Sequence, residues 1–220
     1  MEHDFWHQRW QKGEIGFHEP EVNTALTTHF HSLGLPSAAR IFVPLCGKTE
    51  DIDWLLMQGY SVVGAELSEL AVDSLFARLA LTPKKEKIGL LIRYTAEVNN
   101  QELTVWKGDI FQVTFELLGG IDAVYDRAAL VALPESMRSD YIAHVCDITQ
   151  FAKQLLVTYE YDESVFSGPP FSISREYVHN QYPQPLRATL LSDASVDDGL
   201  KARLPEARKV CWLLEAKSSL

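Results

Sequence analysis

From Arg40 onward, short runs of β-branched and apolar residues alternate with stretches of helical period, a pattern that predicts βαβ units around a parallel sheet. Arg40-Ile41-Phe42-Val43 reads as the first strand, closed by Pro44. A helix follows from about Glu50, with Ile52, Leu55 and Leu56 on one face and Gly59 as its stop. Ser61 to Ala65 is the second strand. Ser68 then caps a helix whose Val72, Leu75, Phe76 and Leu79 fall at i, i+3, i+4 and i+7. Residues 83–101 keep no defensible period and read as an excursion. Leu103 to Lys107, Ile121 to Asp126 and Gln154 to Tyr161 are further strands, and Pro134 opens a helix carrying Met137, Tyr141, Val145 and Ile148 on one side. A short helical stretch is expected near Arg175 to Asn180. The runs 186–191 and 209–216 have no long helix between them, which predicts an antiparallel pair at the sheet edge. Residues 1–39 read as a cover of two helices over a core of residues 40–220, so that 1–220 forms one domain.

Composition narrows the partners. Of 220 residues, 46% are hydrophobic and 23% charged, which is globular and excludes wholesale disorder. A formal charge of -10 repels a phosphate backbone and an anionic membrane face, leaving a small molecule as the expected partner. Cys46, Cys146 and Cys211 are odd in number and form no C-x-x-C pair, which points to a reducing cytoplasm. No window approaches 18 uninterrupted apolar residues, and the first twenty residues carry charges in place of an apolar signal core. No exposed apolar stripe calls for a second copy, so a monomer is expected.

In open parallel sheets, ligands bind beyond the carboxyl ends of the strands, where strand order reverses. The loop Leu45-Cys46-Gly47-Lys48-Thr49-Glu50-Asp51 is therefore the first candidate. Gly47-Lys48-Thr49 resembles the end of a phosphate loop, but Phe42 stands where that pattern needs its first glycine. A dinucleotide fingerprint fails as well, because the loop has one glycine. Glu50, Asp51 and Asp53 crowd the first turn of the next helix, where a pyrophosphate would need bare N–H groups. They stabilise the helix itself, and they are also compatible with a phosphate-free, positively charged nucleoside such as S-adenosylmethionine.

Glu66 ends the second strand nineteen positions after Gly47, where an acidic side chain can accept from both ribose hydroxyls; the alternative is a solvated strand end. Asp109, at the end of the next strand, could accept from an adenine amino group. Asp126 and Arg127 end the strand at the switch point. A buried arginine there must be paired, with Asp126 as its nearest candidate, or must face an anion. No H-E-x-x-H, no Cys/His cluster of ligand spacing and no G-x-S-x-G elbow occurs, so neither metal nor hydrolase chemistry is indicated.

These segments resemble a known family. Phe5-Trp6-His7-Gln8-Arg9-Trp10 with Ile15-Gly16-Phe17-His18, then Val43-Pro44-Leu45-Cys46-Gly47-Lys48, Val62 to Glu69, Asp126 to Leu133 and Gly168-Pro169-Pro170-Phe171 occur in the order of the thiopurine S-methyltransferases, in their bacterial form. The resemblance implies the class I methyltransferase fold: a Rossmann-like α/β core with a seven-stranded, mostly parallel sheet, an antiparallel last strand, and helices on both faces beneath an N-terminal helical cover. It implies S-adenosylmethionine as cofactor, no metal, and methyl transfer to aromatic or heterocyclic thiols. The alternative acceptors are tellurium or selenium oxyanions and other soft anions. By the same resemblance Trp10, Leu45, Glu66, Asp109, Ile110 and Arg127 contact the cofactor. Phe17, Arg127 and Arg187 contact the substrate. The chemistry of methyl transfer to a thiol further predicts Arg127, helped by Arg187, as catalytic by favouring and orienting the thiolate, with Asp126 fixing its guanidinium.

Overall fold

The computed structural model describes residues 3–196 and 199–216. The cover comes first, as α1 (His3–Lys12) and α2 (Thr24–His29), followed by a 3-10 turn over Phe30–Leu33. The core then runs β1 (Arg40–Val43), α3 (Asp51–Met57), β2 (Ser61–Glu66) and α4 (Glu69–Arg78). Next come β3 (Lys84–Ile88), β4 (Leu91–Val98) and β5 (Gln101–Lys107), then α5 (Phe115–Leu118), β6 (Ala123–Arg127), α6 (Glu135–Ile148) and β7 (Lys153–Glu160). The chain finishes with α7 (Arg175–Gln181), β8 (Leu186–Ser195) and β9 (Arg208–Ala216). The expected caps operate: Ser68 Oγ accepts from the Ala71 amide at the start of α4, and Gly59, at φ 86°, ends α3.

The nine strands of the described residues form one sheet in the order β3-β4-β5-β2-β1-β6-β7-β9-β8. The central five are parallel, β9 runs antiparallel to β7, and β8 runs antiparallel to β9. Seven strands thus reproduce the expected class I sheet with its reversed last strand. The other two correct the reading of residues 83–101. They form a β3–β4 hairpin that extends the sheet beyond β5. β3 is exposed along most of its length, so no buried face imposed a two-residue hydrophobic period on Lys84-Lys85-Glu86-Lys87-Ile88. At the other edge, β8 carries a bulge between Leu190 and Ser192.

Alternate residues of the strands feed two cores. On one face Ile41, Val43, Val62 and Tyr125 pack with Leu26 of α2, Leu55 of α3 and Leu75 of α4. On the other, Phe42, Val63, Val124 and Leu156 pack with Leu118 of α5, Tyr141 and Val145 of α6 and Val178 of α7. This two-sided burial fixes strand register, because a slip of one residue would exchange the faces. It also fixes which strand-end side chains reach the space above the sheet. Among the described residues no helix is long and apolar enough to cross a membrane.

Candidate active site

A cavity of about 680 Å³ lies at the carboxyl ends of β1, β2, β5, β6 and β7, roofed by α1 and residues 13–20. Its floor begins at the loop after β1. Leu45 sits at φ 45° and Gly47 at φ 53°, so this loop carries left-handed backbone at two positions. For Leu45 that conformation costs on the order of 1–2 kcal/mol and persists because packing holds it. The Cys46 amide donates to the Ala65 carbonyl at 3.0 Å, tying the loop to the end of β2. Gly64 permits this approach, since a Cβ there would come within 2.7 Å of Cys46 Sγ. Burial, then the nearby Glu66 charge, push the Cys46 thiol well above its ordinary pKa, so it is inert packing.

Glu66 is only 6% exposed. Its Oε2 accepts from the Gly47 amide at 2.8 Å and its Oε1 from the Ser68 amide at 2.7 Å. Burial raises its pKa and these amides oppose the rise. Each oxygen keeps a second lone pair, so the carboxylate is locked in place while still able to accept from two adjacent hydroxyls. Trp10 lies close above: a Cβ on residue 47 would stand 3.2 Å from its Cζ2. Trp10 meets Phe17 edge-on at 5.6 Å between ring centroids, and Phe17 meets Trp6 at 5.5 Å. The cover thus brings an aromatic cluster to the mouth of the strand-end cavity. Asp109, whose carboxylate accepts from the Phe111 amide, and Ile110 line the same space from the end of β5.

Arg127 ends β6 with its side chain 8% exposed. Its Nη2 pairs with Glu19 of the cover, whereas its Nε is buried with no hydrogen-bond partner among the described residues. Burial would favour loss of its proton, but the surrounding Tyr159, Glu19, Tyr125 and Asp51 outweigh that and hold its pKa above the ordinary value. Arg9 of α1 also lines the cavity, its buried Nε having no hydrogen-bond partner among the described residues, and Arg203 enters from the segment between β8 and β9. The arrangement joins a fixed carboxylate, an edge-on aromatic roof and arginine side chains around one cavity.

The sequence matches the family described as thiopurine S-methyltransferase over residues 1–215. It is 45% identical over 206 residues to a thiopurine S-methyltransferase of Gluconobacter oxydans, spanning 94% of this chain and 92% of the relative. Identity to that of Xanthobacter autotrophicus is 47% over 216 residues, spanning 98% and 99%. The chain belongs to the thiopurine S-methyltransferase family. Its fold also resembles the Burkholderia thailandensis 1,6-didemethyltoxoflavin-N1-methyltransferase, solved with S-adenosylhomocysteine, at a TM-score of 0.66 and 14% identity, covering 98% of this chain and 87% of that one. The protein is accordingly an S-adenosylmethionine-dependent methyltransferase of the class I fold.

In this methyltransferase the cavity brings together Trp10, Phe17, Leu45, Glu66, Asp109, Ile110 and Arg127, all of which the sequence singled out. The residues fit the cofactor: a buried carboxylate with spare acceptor capacity suits vicinal ribose hydroxyls, and the single-glycine loop offers no phosphate cradle. Of the three carboxylates after that loop, Glu50 and Asp53 pair with Arg78, and Asp51 turns inward to accept from the Asn23 amide and the Tyr125 hydroxyl. Their main duty in the family member is structural.

Two expectations are corrected. Asp126 does not hold Arg127. Successive strand side chains point to opposite faces, so Asp126 is buried beneath α6, accepting from Tyr141 Oη at 2.7 Å and the Leu130 amide at 3.1 Å, outside the cavity lining. Arg187 does not reach the cavity either. It is exposed near the start of β8, opposite Glu215, at the end of the sheet away from the site. Arg203 stands at the cavity instead because the segment after β8 returns to the correct end of the sheet. Sequence reading also gave no role to Glu19 and Tyr159, which no local motif marks, or to Arg9, which lies within the Phe5–Trp10 segment that carries the resemblance.

Burial raises the Asp126 pKa to about 6, against the stabilising donors Tyr141, Leu130 and Ala129. A carboxyl whose pKa is raised on folding binds its proton more tightly in the native state. It therefore adds stability as pH falls from about 6 toward the unfolded value of 3.8. Urea unfolding at pH 7.5 and pH 5 should show wild type gaining roughly 1–1.5 kcal/mol over Asp126→Asn on acidification. Methyl transfer by the variant should stay within about threefold of wild type.

Proposed function

We propose that this enzyme transfers methyl from S-adenosylmethionine to the sulfur of aromatic and heterocyclic thiols, acting as one monomeric catalytic unit of core and cover in the cytoplasm. The observation that carries this reading is the juxtaposition of Arg127 with the cover aromatics Trp6, Trp10 and Phe17 around one cavity. A planar ring finds edge and face contacts there, and its sulfur finds a guanidinium.

The roles follow from the chemistry of each group. S-adenosylmethionine supplies a methyl group on a positively charged sulfur, which departs as a neutral thioether when the acceptor sulfur takes the methyl in line. Glu66 holds the ribose, Asp109 and Ile110 border the adenine, and Leu45 and Trp10 close the two sides of the nucleoside. Arg127 orients the acceptor and favours its thiolate form, because a fixed positive charge lowers the pKa of a neighbouring thiol. Arg203 takes the second arginine position that the sequence assigned to Arg187. Phe17 excludes water, which strengthens each of these charge contacts. Little general-base assistance is required, since heterocyclic thiols are partly ionised near neutral pH.

The test is a panel of methyl acceptors with the purified enzyme and labelled cofactor. Heteroaryl thiols and thiophenols should be methylated at sulfur, with tellurite and selenite giving little volatile product. Turnover of the metalloid oxyanions without turnover of any thiol would replace this reading with metalloid methylation.

A further inference from the structure

Tyr125 and Arg127 lie two apart on β6, hence on one face, and each begins a chain of polar contacts that meets the other in the cover. Tyr125 Oη donates to Asp51 Oδ2 at 3.1 Å, and Asp51 Oδ1 accepts from the Asn23 amide at 2.8 Å. Asn23 Nδ2 donates to Glu19 Oε2 at 2.9 Å, and Glu19 Oε1 pairs with Arg127 Nη2. The chain is a closed ring: β6 to α3, to the N-cap of α2, to the cover, and back to β6. Asn23, Asp51 and Tyr125 are each 2% exposed or less. Burial, followed by the Asp51 charge, pushes the Tyr125 phenol well above its ordinary pKa, so it keeps the proton it donates.

We propose that Glu19 is a positioning residue for methyl transfer: by holding Nη2 from the cover side, it keeps the guanidinium of Arg127, which lines the cavity, in one orientation. This rests on the reading that Arg127 orients the acceptor. Asn23 is the second element of the device. Its Oδ1 caps α2 through the Ala25 amide at 2.9 Å, while its Nδ2 fixes the Glu19 carboxylate. Seating the cover over the cavity and aiming the guanidinium are therefore one event, since the same two side chains serve both. A carboxylate also restrains both torsion and charge: it leaves Arg127 compensated before any ligand arrives, so the buried cation carries no isolated charge in the free enzyme.

Three variants separate positioning from folding. Glu19→Ala removes the grip. Glu19→Gln keeps an acceptor for Nη2 without the charge. Asn23→Ser keeps an N-capping oxygen but loses the donor to Glu19. With a thiophenol as acceptor, Glu19→Ala should lower kcat at saturating thiol about 10- to 100-fold, the range of one charge-assisted hydrogen bond. Glu19→Gln should recover only part of the loss, because its one oxygen can accept from Arg127 Nη2 while its NH2 then faces the Asn23 Nδ2 donor, and Asn23→Ser should show a smaller loss of the same kind. Independently of turnover, the Arg127 Nε–H resonance in nitrogen-15 spectra of the ligand-free enzyme should be sharp and protected from exchange. In Glu19→Ala it should broaden and exchange with water. A changed resonance in an enzyme that methylates no thiol would leave the positioning in place and remove the proposed function. Wild-type kcat and an unchanged Nε resonance in both Glu19→Ala and Asn23→Ser, whatever happens to their melting temperatures, would overturn the positioning role.

Discussion

Replacing Arg127 with Ala is expected to lower kcat/KM for an aryl thiol by about 100-fold or more. The change removes a charge-assisted contact to the acceptor, worth about 1.5–3 kcal/mol, and also the field that favours its thiolate. The pH–rate profile should therefore move as well: the acidic limb, set by ionisation of the bound thiol, should shift to higher pH. Arg127→Lys keeps the charge but not the planar fork, and should fall between the two. Stability should drop by roughly 1–3 kcal/mol. That is less than the ~3–5 kcal/mol for breaking a fully enclosed pair, because Glu19 is 19% exposed and can turn to solvent. Initial rates across pH 6–9 at subsaturating thiol for kcat/KM and at saturating thiol for ionisation of the bound thiol, beside urea unfolding of each variant, separate the effects. Wild-type rates in Arg127→Ala would remove this arginine from the acceptor site.

Replacing Glu66 with Ala is expected to weaken cofactor binding by about two to three orders of magnitude, the value of two hydrogen bonds to a charged acceptor. The variant also leaves the Gly47 and Ser68 amides without their acceptor. Glu66→Gln is nearly as harmful for a geometric reason. Its amide has one oxygen and one NH2 group, so one of the two backbone N–H donors would face another donor. Because burial raises the Glu66 pKa, cofactor affinity should begin to fall at a higher pH than for an ordinary glutamate as the solution is acidified. Calorimetry with S-adenosylhomocysteine measures all of this without turnover. An unchanged dissociation constant in Glu66→Ala would contradict the ribose role.

Much of this site was legible because class I sheets put ligand contacts at strand ends, and strand ends are what hydrophobic runs mark best. Glu66 follows the four-residue apolar run Val62-Val63-Gly64-Ala65, and its distance from Gly47 reflects one intervening helix. Arg127 was found by the same logic. Its partner was not, since Glu19 is over a hundred residues away and meets it only when the cover folds down. The choice of Asp126 as that partner overlooked strand geometry: neighbours on a strand diverge to opposite faces, which alone would have separated the two. Arg187 was misplaced for want of strand direction. Had β8 been oriented first, its early residues would have been assigned to the wrong end of the sheet for catalysis and the segment around Arg203 to the right one. The β3–β4 hairpin was invisible because periodicity records burial, and β3 is mostly exposed.

That exposure has a consequence for how the molecule behaves in a crowded solution. A long open sheet offers unpaired backbone donors and acceptors at both margins, which invite accretion of further chains into fibrils. On the β3 side, Lys84, Lys85 and Lys87 would set like charges against each other in any copy docking there in the same way. On the β8 side, the bulge at Leu190/Ser192 breaks the straight ladder that a newcomer would need. The protein keeps its nine-stranded sheet from becoming a template by guarding one border with charge and the other with curvature.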